Sequence, residues 1–286
     1  LGFGKYGPKC VVAESESPIG PFTKPVMCDW PAFNEAGAFD PTALVEEFED
    51  GTVRVFAYWG MKKGGDRCAE VDPTDMHTII NPKTRKPDRN AWRKTLPPPK
   101  EINGSTLFEA NSIKKLRDNK YAFIYSANEK ISALTYCYSD HPFGPWKYGG
   151  RIVDNSINWK GGNNHGSVAK VKDQWYIFYH RKTNDSFNRQ AMMEPIEVSF
   201  NNDHVVIPMV EMTSQGCDIN GLDAFRKYNI AVCCYNKGFA YIDGSQRRQD
   251  GLNPMVNIKS GTVLGFKYFN FGEKKVRDAD QLQLKL

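Results

Sequence analysis

Apolar residues along this chain come in short runs, and almost nowhere at the three-and-four spacing of an amphipathic helix. Val53-Arg-Val-Phe-Ala-Tyr-Trp59, Tyr121-Ala-Phe-Ile-Tyr125 and Trp175-Tyr-Ile-Phe-Tyr-His180 are aromatic and β-branched stretches of strand length. Each follows a tight polar turn, and each turn follows another apolar run. Phe39-Asp-Pro-Thr-Ala-Leu-Val45 leads through Glu49-Asp50-Gly51. Phe108-Glu-Ala-Asn-Ser-Ile113 leads through Arg117-Asp118-Asn119, and Asn164-His-Gly-Ser-Val-Ala-Lys-Val171 through Lys172-Asp173. Strand, turn, aromatic strand is the grammar of a hairpin. The best helical candidate is a single turn near Pro73 to Met76.

A second repeat supports the first. Val12-Ala-Glu-Ser-Glu-Ser-Pro-Ile-Gly-Pro-Phe22 returns as Tyr136-Cys-Tyr-Ser-Asp-His-Pro-Phe-Gly-Pro-Trp146, so two strands end in the same Pro- and Gly-directed bend. The three hairpin units open on polar residues, Asp40, Glu109 and His165, spaced 69 and 56 residues apart. That spacing suits a four-stranded blade with its loops, and repeated blades place equivalent positions at one end of a central channel. The three heads are therefore expected to converge. After Glu211-Met-Thr-Ser-Gln-Gly216 the repeat stops, and strand-like runs remain at Phe239 to Ile242 and Gly265 to Phe271. The expectation is an all-β chain, with a β-propeller over 1–213 and a C-terminal β-sandwich-like segment over 214–286. That segment is shorter than the roughly 100 residues of a full sandwich, so the end reads as cut.

Composition narrows the function. A chain of 286 residues can bury a large single core. Its net charge of +5 is spread out, and pairs such as Lys114-Lys115 or Arg247-Arg248 are too small to track a phosphate backbone. No nucleic-acid partner is expected. No run of about 18 apolar residues exists, so no membrane span is expected either. Aromatic residues make up 13%, which serves a β core and also supplies flat faces for sugar rings. The 7 cysteines form no C-x-x-C pair and no Cys/His ligand spacing, so most are expected as buried thiols. The chain opens at Leu1, without Met and inside what reads as a loop. The start is expected to be cut, and a missing signal peptide says little. There is no G-x-S-x-G nucleophile elbow and no phosphate-binding glycine loop. Asn103-Gly-Ser and Asn184-Asp-Ser fit the glycosylation sequon.

Paired carboxylates are what glycosidic cleavage needs, one to protonate the leaving oxygen and one to activate water or attack the sugar. Asp40 and Glu109 suit that chemistry, although an Asp before Pro also reads as a turn acceptor. His165 reads either as a hydrogen-bonding loop residue or as part of the site. Arg189 could reach sugar hydroxyls with its planar fork, or hold a structural ion pair.

These motifs, Ala38-Phe39-Asp40-Pro41, Phe108-Glu109-Ala110, Asn164-His165-Gly166-Ser167, Ser17-Pro-Ile-Gly-Pro-Phe22 and Trp175-Tyr-Ile-Phe-Tyr-His180-Arg181, resemble the signature of glycoside hydrolase family 43 over about residues 8 to 213. The family consists of five-bladed β-propellers that act on arabinose-, xylose- or galactose-containing plant polysaccharides. The resemblance implies a secreted or periplasmic glycosidase of α-L-arabinofuranosidase or β-xylosidase type, binding an oligosaccharide or polysaccharide. It makes Glu109 the general acid of an inverting reaction and Asp40 the carboxylate that raises the acid's pKa and orients it. His165 would lie near a possible structural calcium or its water shell, with no cofactor required, and Arg189 would contact the sugar. The family's general base lies on a first blade that precedes Leu1, so roughly one and a half blades of the ring are expected to be missing from this chain. The rival readings are a non-catalytic carbohydrate-binding propeller and a purely structural interaction propeller.

Overall fold

The computed structural model describes residues 10–31, 39–62, 65–128, 133–156, 164–182, 184, 189–244 and 253–273; Arg247-Arg248, loop residues 157–162 and most of the Asn184 sequon lie outside them. The chain is all-β. A hairpin of β1 (Val11–Glu14) and β2 (Thr23–Met27) precedes a sheet of β3 (Thr42–Glu47), β4 (Val53–Trp59) and β5 (Arg67–Val71). Next come a four-stranded sheet, β6 (Leu107–Arg117), β7 (Lys120–Ala127), β8 (Ala133–Ser139) and β9 (Lys147–Asp154), and a three-stranded one, β10 (Gly166–Val171), β11 (Gln174–Lys182) and β12 (Arg189–Ile196). All are antiparallel and joined in chain order.

The expected aromatic strands are β4, β7 and β11, and the expected turns join them to β3, β6 and β10. Gly51, Asn119 and Lys172 in these turns take left-handed backbone, with φ of 78°, 53° and 54°. The two copies of the Pro-Gly-Pro bend also match: Gly20-Pro21 and Gly144-Pro145 are both cis, and both glycines have positive φ. At Gly144 a side chain would meet the Trp146 ring at 2.8 Å, so the aromatic folds back over the turn.

Period-two alternation sends each inner strand into two cores. Phe56 and Tyr58 of β4 join Phe123 and Tyr125 of β7, with Cys137, Phe143 and Trp146, in an aromatic layer between the first two sheets. Val55, Ala57 and Trp59 face the other way, toward Cys10, Cys28 and Trp30. Ala122 and Ile124 of β7 pack with Leu134, Tyr136, Val168, Ile177 and Ile196 between the second and third sheets. Burial on both faces explains why these strands read as continuous apolar runs. The first strands β3 and β10 both lie against β6.

Not every sheet has the four strands that the spacing implied. The first has three, and residues 72–106 extend its edge through single bridges, such as Cys68 with Arg93. The turn at Pro73 is a single helical turn, closed by the Met76 N–H on the Asp72 carbonyl at 2.8 Å and ended by Met76 at φ 62°. Among the described residues, short 3-10 turns lie at Pro99–Ile102 and Ile230–Val232. Beyond β12, the hairpin of β13 (Ser199–Asn201) and β14 (His204–Val206) is pinned by Tyr136, whose hydroxyl donates to Val205 O and accepts from Ile207 N at 3.2 and 2.9 Å.

Among the described residues the tail holds only short pairs: β15 (Leu222–Asp223) parallel to β20 (Phe269–Asn270), β16 (Tyr235–Lys237) with β19 (Val263–Gly265), and β17 (Tyr241–Ile242) with β18 (Met255–Val256). In the second expected run Phe266, Tyr268, Phe269 and Phe271 are all exposed, with Phe269 and Phe271 edge-on to Tyr228 and Phe225. Six of the seven cysteines are buried and Cys217 is exposed.

Gly149 is the extra residue where β9 shifts register against Tyr136 and Cys137. A methyl there would sit 2.1 Å from the Tyr136 ring, which the hydroxyl bonds hold in place. Gly149→Ala is expected to cost about 1–3 kcal/mol through overpacking, read as a lower urea midpoint with an unchanged slope.

Candidate active site at the heads of three sheets

Each head residue is delivered by a local backbone feature. Asp40 precedes β3 with φ of 45°. Its carbonyl accepts from Asn111 Nδ2 at 2.9 Å, and its Oδ2 accepts from the Ala110 N–H at 2.9 Å. Glu109 lies in β6 between two register shifts against β7, bulges that re-aim a side chain out of the regular pleat. Ala110 follows at φ 68°, a conformation costly for a residue with a Cβ and held here by the Asp40 bond. His165 stands just before β10. Gly166 admits no side chain, because a Cβ would lie 2.5 Å from Leu134 and 2.7 Å from the Phe178 carbonyl, and this close approach brings His165 inward.

The three heads converge as expected, with one donor atom from each lying within 4.8 Å of the others. His165 Nε2 is hydrogen-bonded to Glu109 Oε1 at 3.0 Å, and its Nδ1 lies 3.9 Å from Asp40 Oδ2. Exposure grades across the group: the Glu109 side chain is 7% exposed, Asp40 14% and His165 35%, so the imidazole faces solvent. Burial raises the Asp40 carboxyl above its usual range; the Ala110 N–H and His165 pull it down, and the nearby Glu109 carboxylate adds to the rise.

Arg189 is not delivered in the same way. It opens β12 opposite Lys182, exposed and two strands from His165, about 10 Å by strand spacing. Two supports escaped the sequence reading as site residues. His180 stacks on His165 with centroids 5.3 Å apart and 22° between planes. Asn111 also donates to Gly60 O at 2.9 Å, so its amide clamps Asp40 and Gly60 together. Residue type alone does not single out Asn111, because β6 also carries Glu109, Ser112, Lys114, Lys115 and Arg117.

One small ion could bridge the three donors. Calcium, however, takes six to eight oxygens, and this group offers two carboxylates and a nitrogen. Among the described residues the set does not make a direct calcium site, and the chemistry below uses none.

The model of glycosyl hydrolases family 43 matches residues 4–205. The chain belongs to glycosyl hydrolase family 43. This family-43 chain is 33% identical over 281 residues to a xylosidase/arabinosidase of Thermoclostridium stercorarium, covering 85% of this chain and 54% of that protein. It is 30% identical over 201 residues to an arabinoxylan arabinofuranohydrolase of Paenibacillus polymyxa, covering 64% and 30%. It thus spans about half, or less, of the length of these relatives. Among solved structures, the family-43 arabinoxylan arabinofuranohydrolase of Bacillus subtilis, in complex with cellotetraose, superposes with a TM-score of 0.51 at 20% identity, covering 90% of this chain and 56% of that one. An α-L-arabinofuranosidase of Clostridium thermocellum gives 0.50 at 24% identity, covering 71% and 65%. These likenesses show a shared fold.

The raised Asp40 carboxyl sets a pH dependence of stability. A group whose pKa rises on folding contributes most below its unfolded value, about 4 for Asp, and loses that contribution as pH climbs through the folded value. Asp40→Asn keeps an oxygen for Ala110 and cannot ionise. Its Tm relative to the parent is expected to increase as pH climbs from the unfolded value through the folded one and to level off above it, followed by thermal melts across pH. A parent that gains on the variant as pH rises would refute the assignment.

Proposed function

We infer that this chain carries the acid half of an inverting glycosidase that releases arabinofuranosyl or xylosyl groups from arabinoxylan-type chains. Its sheets are then successive blades of a five-bladed propeller, with the site at one end of the axis. The observation that carries this reading is the meeting of Asp40, Glu109 and His165, from three different sheets, within 4.8 Å. The names of the relatives, xylosidase/arabinosidase and arabinoxylan arabinofuranohydrolase, support the substrate class.

Glu109 is the proton donor. His165 holds Oε1 at 3.0 Å, which orients the carboxyl and leaves the other oxygen for the leaving group. As the bond from the anomeric carbon to the leaving oxygen breaks, its electron pair goes to that oxygen and the Glu109 proton follows. A water attacks from the opposite face and passes its proton to a second carboxylate, about 6.5–9.5 Å from the acid in inverting enzymes. No residue of this chain is assigned to that base. Asp40 is a positioning residue, fixing the Ala110 backbone beside the acid. His165, and Arg189 at the open end of β12, would contact the sugar, and binding would be to oligosaccharide or polysaccharide.

Glu109→Gln is expected to lower hydrolysis of arabinoxylan oligosaccharides by about 10²–10⁴-fold while sparing nitrophenyl α-L-arabinofuranoside or β-D-xyloside, whose leaving groups need no proton. The rates are measured on the product of the full-length gene and on this chain. An equal loss on both substrate types removes Glu109 from the acid role. Sugar binding without hydrolysis by either protein favours a carbohydrate-binding propeller.

A further inference from the structure

The hairpin of β1 and β2 ends in a facing pair of cysteines. Val11 faces Met27 and Val12 faces Val26. One further step in the same register sets Cys10 opposite Cys28, whose N–H donates to the Cys10 carbonyl at 3.0 Å. Directly opposed residues of an antiparallel ladder point to the same face, with Cα atoms about 5.5 Å apart at a hydrogen-bonded pair. Most disulfides span that same separation. Both side chains enter one core, 1% and 5% exposed, beside Trp30, Val55 and Trp59. We propose that Cys10 and Cys28 form a cross-strand disulfide that closes the hairpin when the folding chain meets a small-molecule disulfide such as oxidised glutathione.

The exchange balances in two steps. The Cys10 thiolate attacks one sulfur of the small disulfide, forming a mixed disulfide and expelling one thiolate. The Cys28 thiolate then attacks the Cys10 sulfur and expels the second. Two protein thiols are oxidised, one small disulfide is reduced to two thiols, and the two protons pass to those products. Timing follows from burial. In the folded hairpin, desolvation pushes the Cys10 thiol to about 12 and the Cys28 thiol to about 11, so the reactive thiolate is scarce. Exchange therefore belongs to the open hairpin, before the core closes over the sulfurs, and the buried bond then resists reduction. All five residues of β2 are exposed, so few contacts besides the cysteine end hold this strand down. The staple also bears on the site. Cys10 is close enough to Asp40 for that carboxylate to raise its thiol, so the bond would brace the wall behind Asp40.

The test uses the chain carrying Cys217→Ser, which removes the exposed thiol. It is refolded in a mixture of oxidised and reduced glutathione, quenched in acid, alkylated and cut with chymotrypsin, whose target Phe22 is exposed between the two cysteines. The expected product is a pair of peptides, one bearing Cys10 and the other Cys28, that stay joined until reduced. Closing a loop of this length is expected to shift the unfolding equilibrium about a hundredfold, and Cys28→Ala is expected to lose both signals. Alkylation of both cysteines after refolding, or a bond from either one to a different cysteine, overturns the proposal.

Discussion

One side-chain amide ties the first two sheets together at their heads. Asn111 donates from β6 to the carbonyls of Asp40 and Gly60, which flank the first sheet at the entry to β3 and the exit from β4. Neighbouring sheets share apolar faces and no backbone ladder; one backbone bond crosses near the heads, from the Lys62 N–H to the Phe108 carbonyl at 2.6 Å, and side chains satisfy other polar groups there. Asp40 answers in the other direction, its carboxylate accepting from Ala110. Each bond contributes about 1 kcal/mol net, but a buried carbonyl left unpaired would cost more than that. This reciprocal tie is also what sustains left-handed backbone at two non-glycine residues, Asp40 and Ala110.

The convergence of the heads was legible in the sequence because it follows from repetition. Three units of head, strand, turn and aromatic strand imply three sheets in the same orientation, and equivalent positions must then meet. Even the turns were readable, since Gly51, Asn119 and Lys172 each take the one left-handed residue that a tight connection requires. Local departures from the repeat were not readable. The two bulges around Glu109 insert residues without any change of residue type, so nothing in composition marks them. The stack of His180 on His165 depends on register across β10 and β11, which the sequence alone leaves open. In the tail, apolar runs suggested longer strands, but strand length is decided by what lies across from the strand.

Buried carboxylates show how the fold separates structure from chemistry. Glu70 has no exposed side-chain surface, and burial alone would raise its carboxyl. Arg54 and Arg85 grip it at 2.7 and 2.5 Å, and their charges bring it below the ordinary range. It is a neutralised group that fastens a sheet edge. Among the described residues Glu194 has no such cation, and burial leaves its carboxyl raised. Its oxygens are nonetheless occupied, by the Thr213 N–H at 2.8 Å, the Thr213 hydroxyl at 2.6 Å and the Tyr179 hydroxyl at 3.2 Å.

Asp40 matches neither pattern. Among the described residues its nearest basic group is an imidazole at 3.9 Å, itself bound to a second carboxylate, and one backbone N–H answers its charge. A carboxylate needed only for stability would gain from a guanidinium in that position, as Glu70 does. Leaving it short of positive charge, beside another acid, costs stability once it is ionised. Direction of shift alone does not single out the site, since Glu194 moves the same way. What distinguishes the Asp40 group is incomplete satisfaction combined with a half-open imidazole, at a point where three sheets meet. A fold that supplied the missing cation would be more stable there, but the cation would displace the imidazole that holds Glu109.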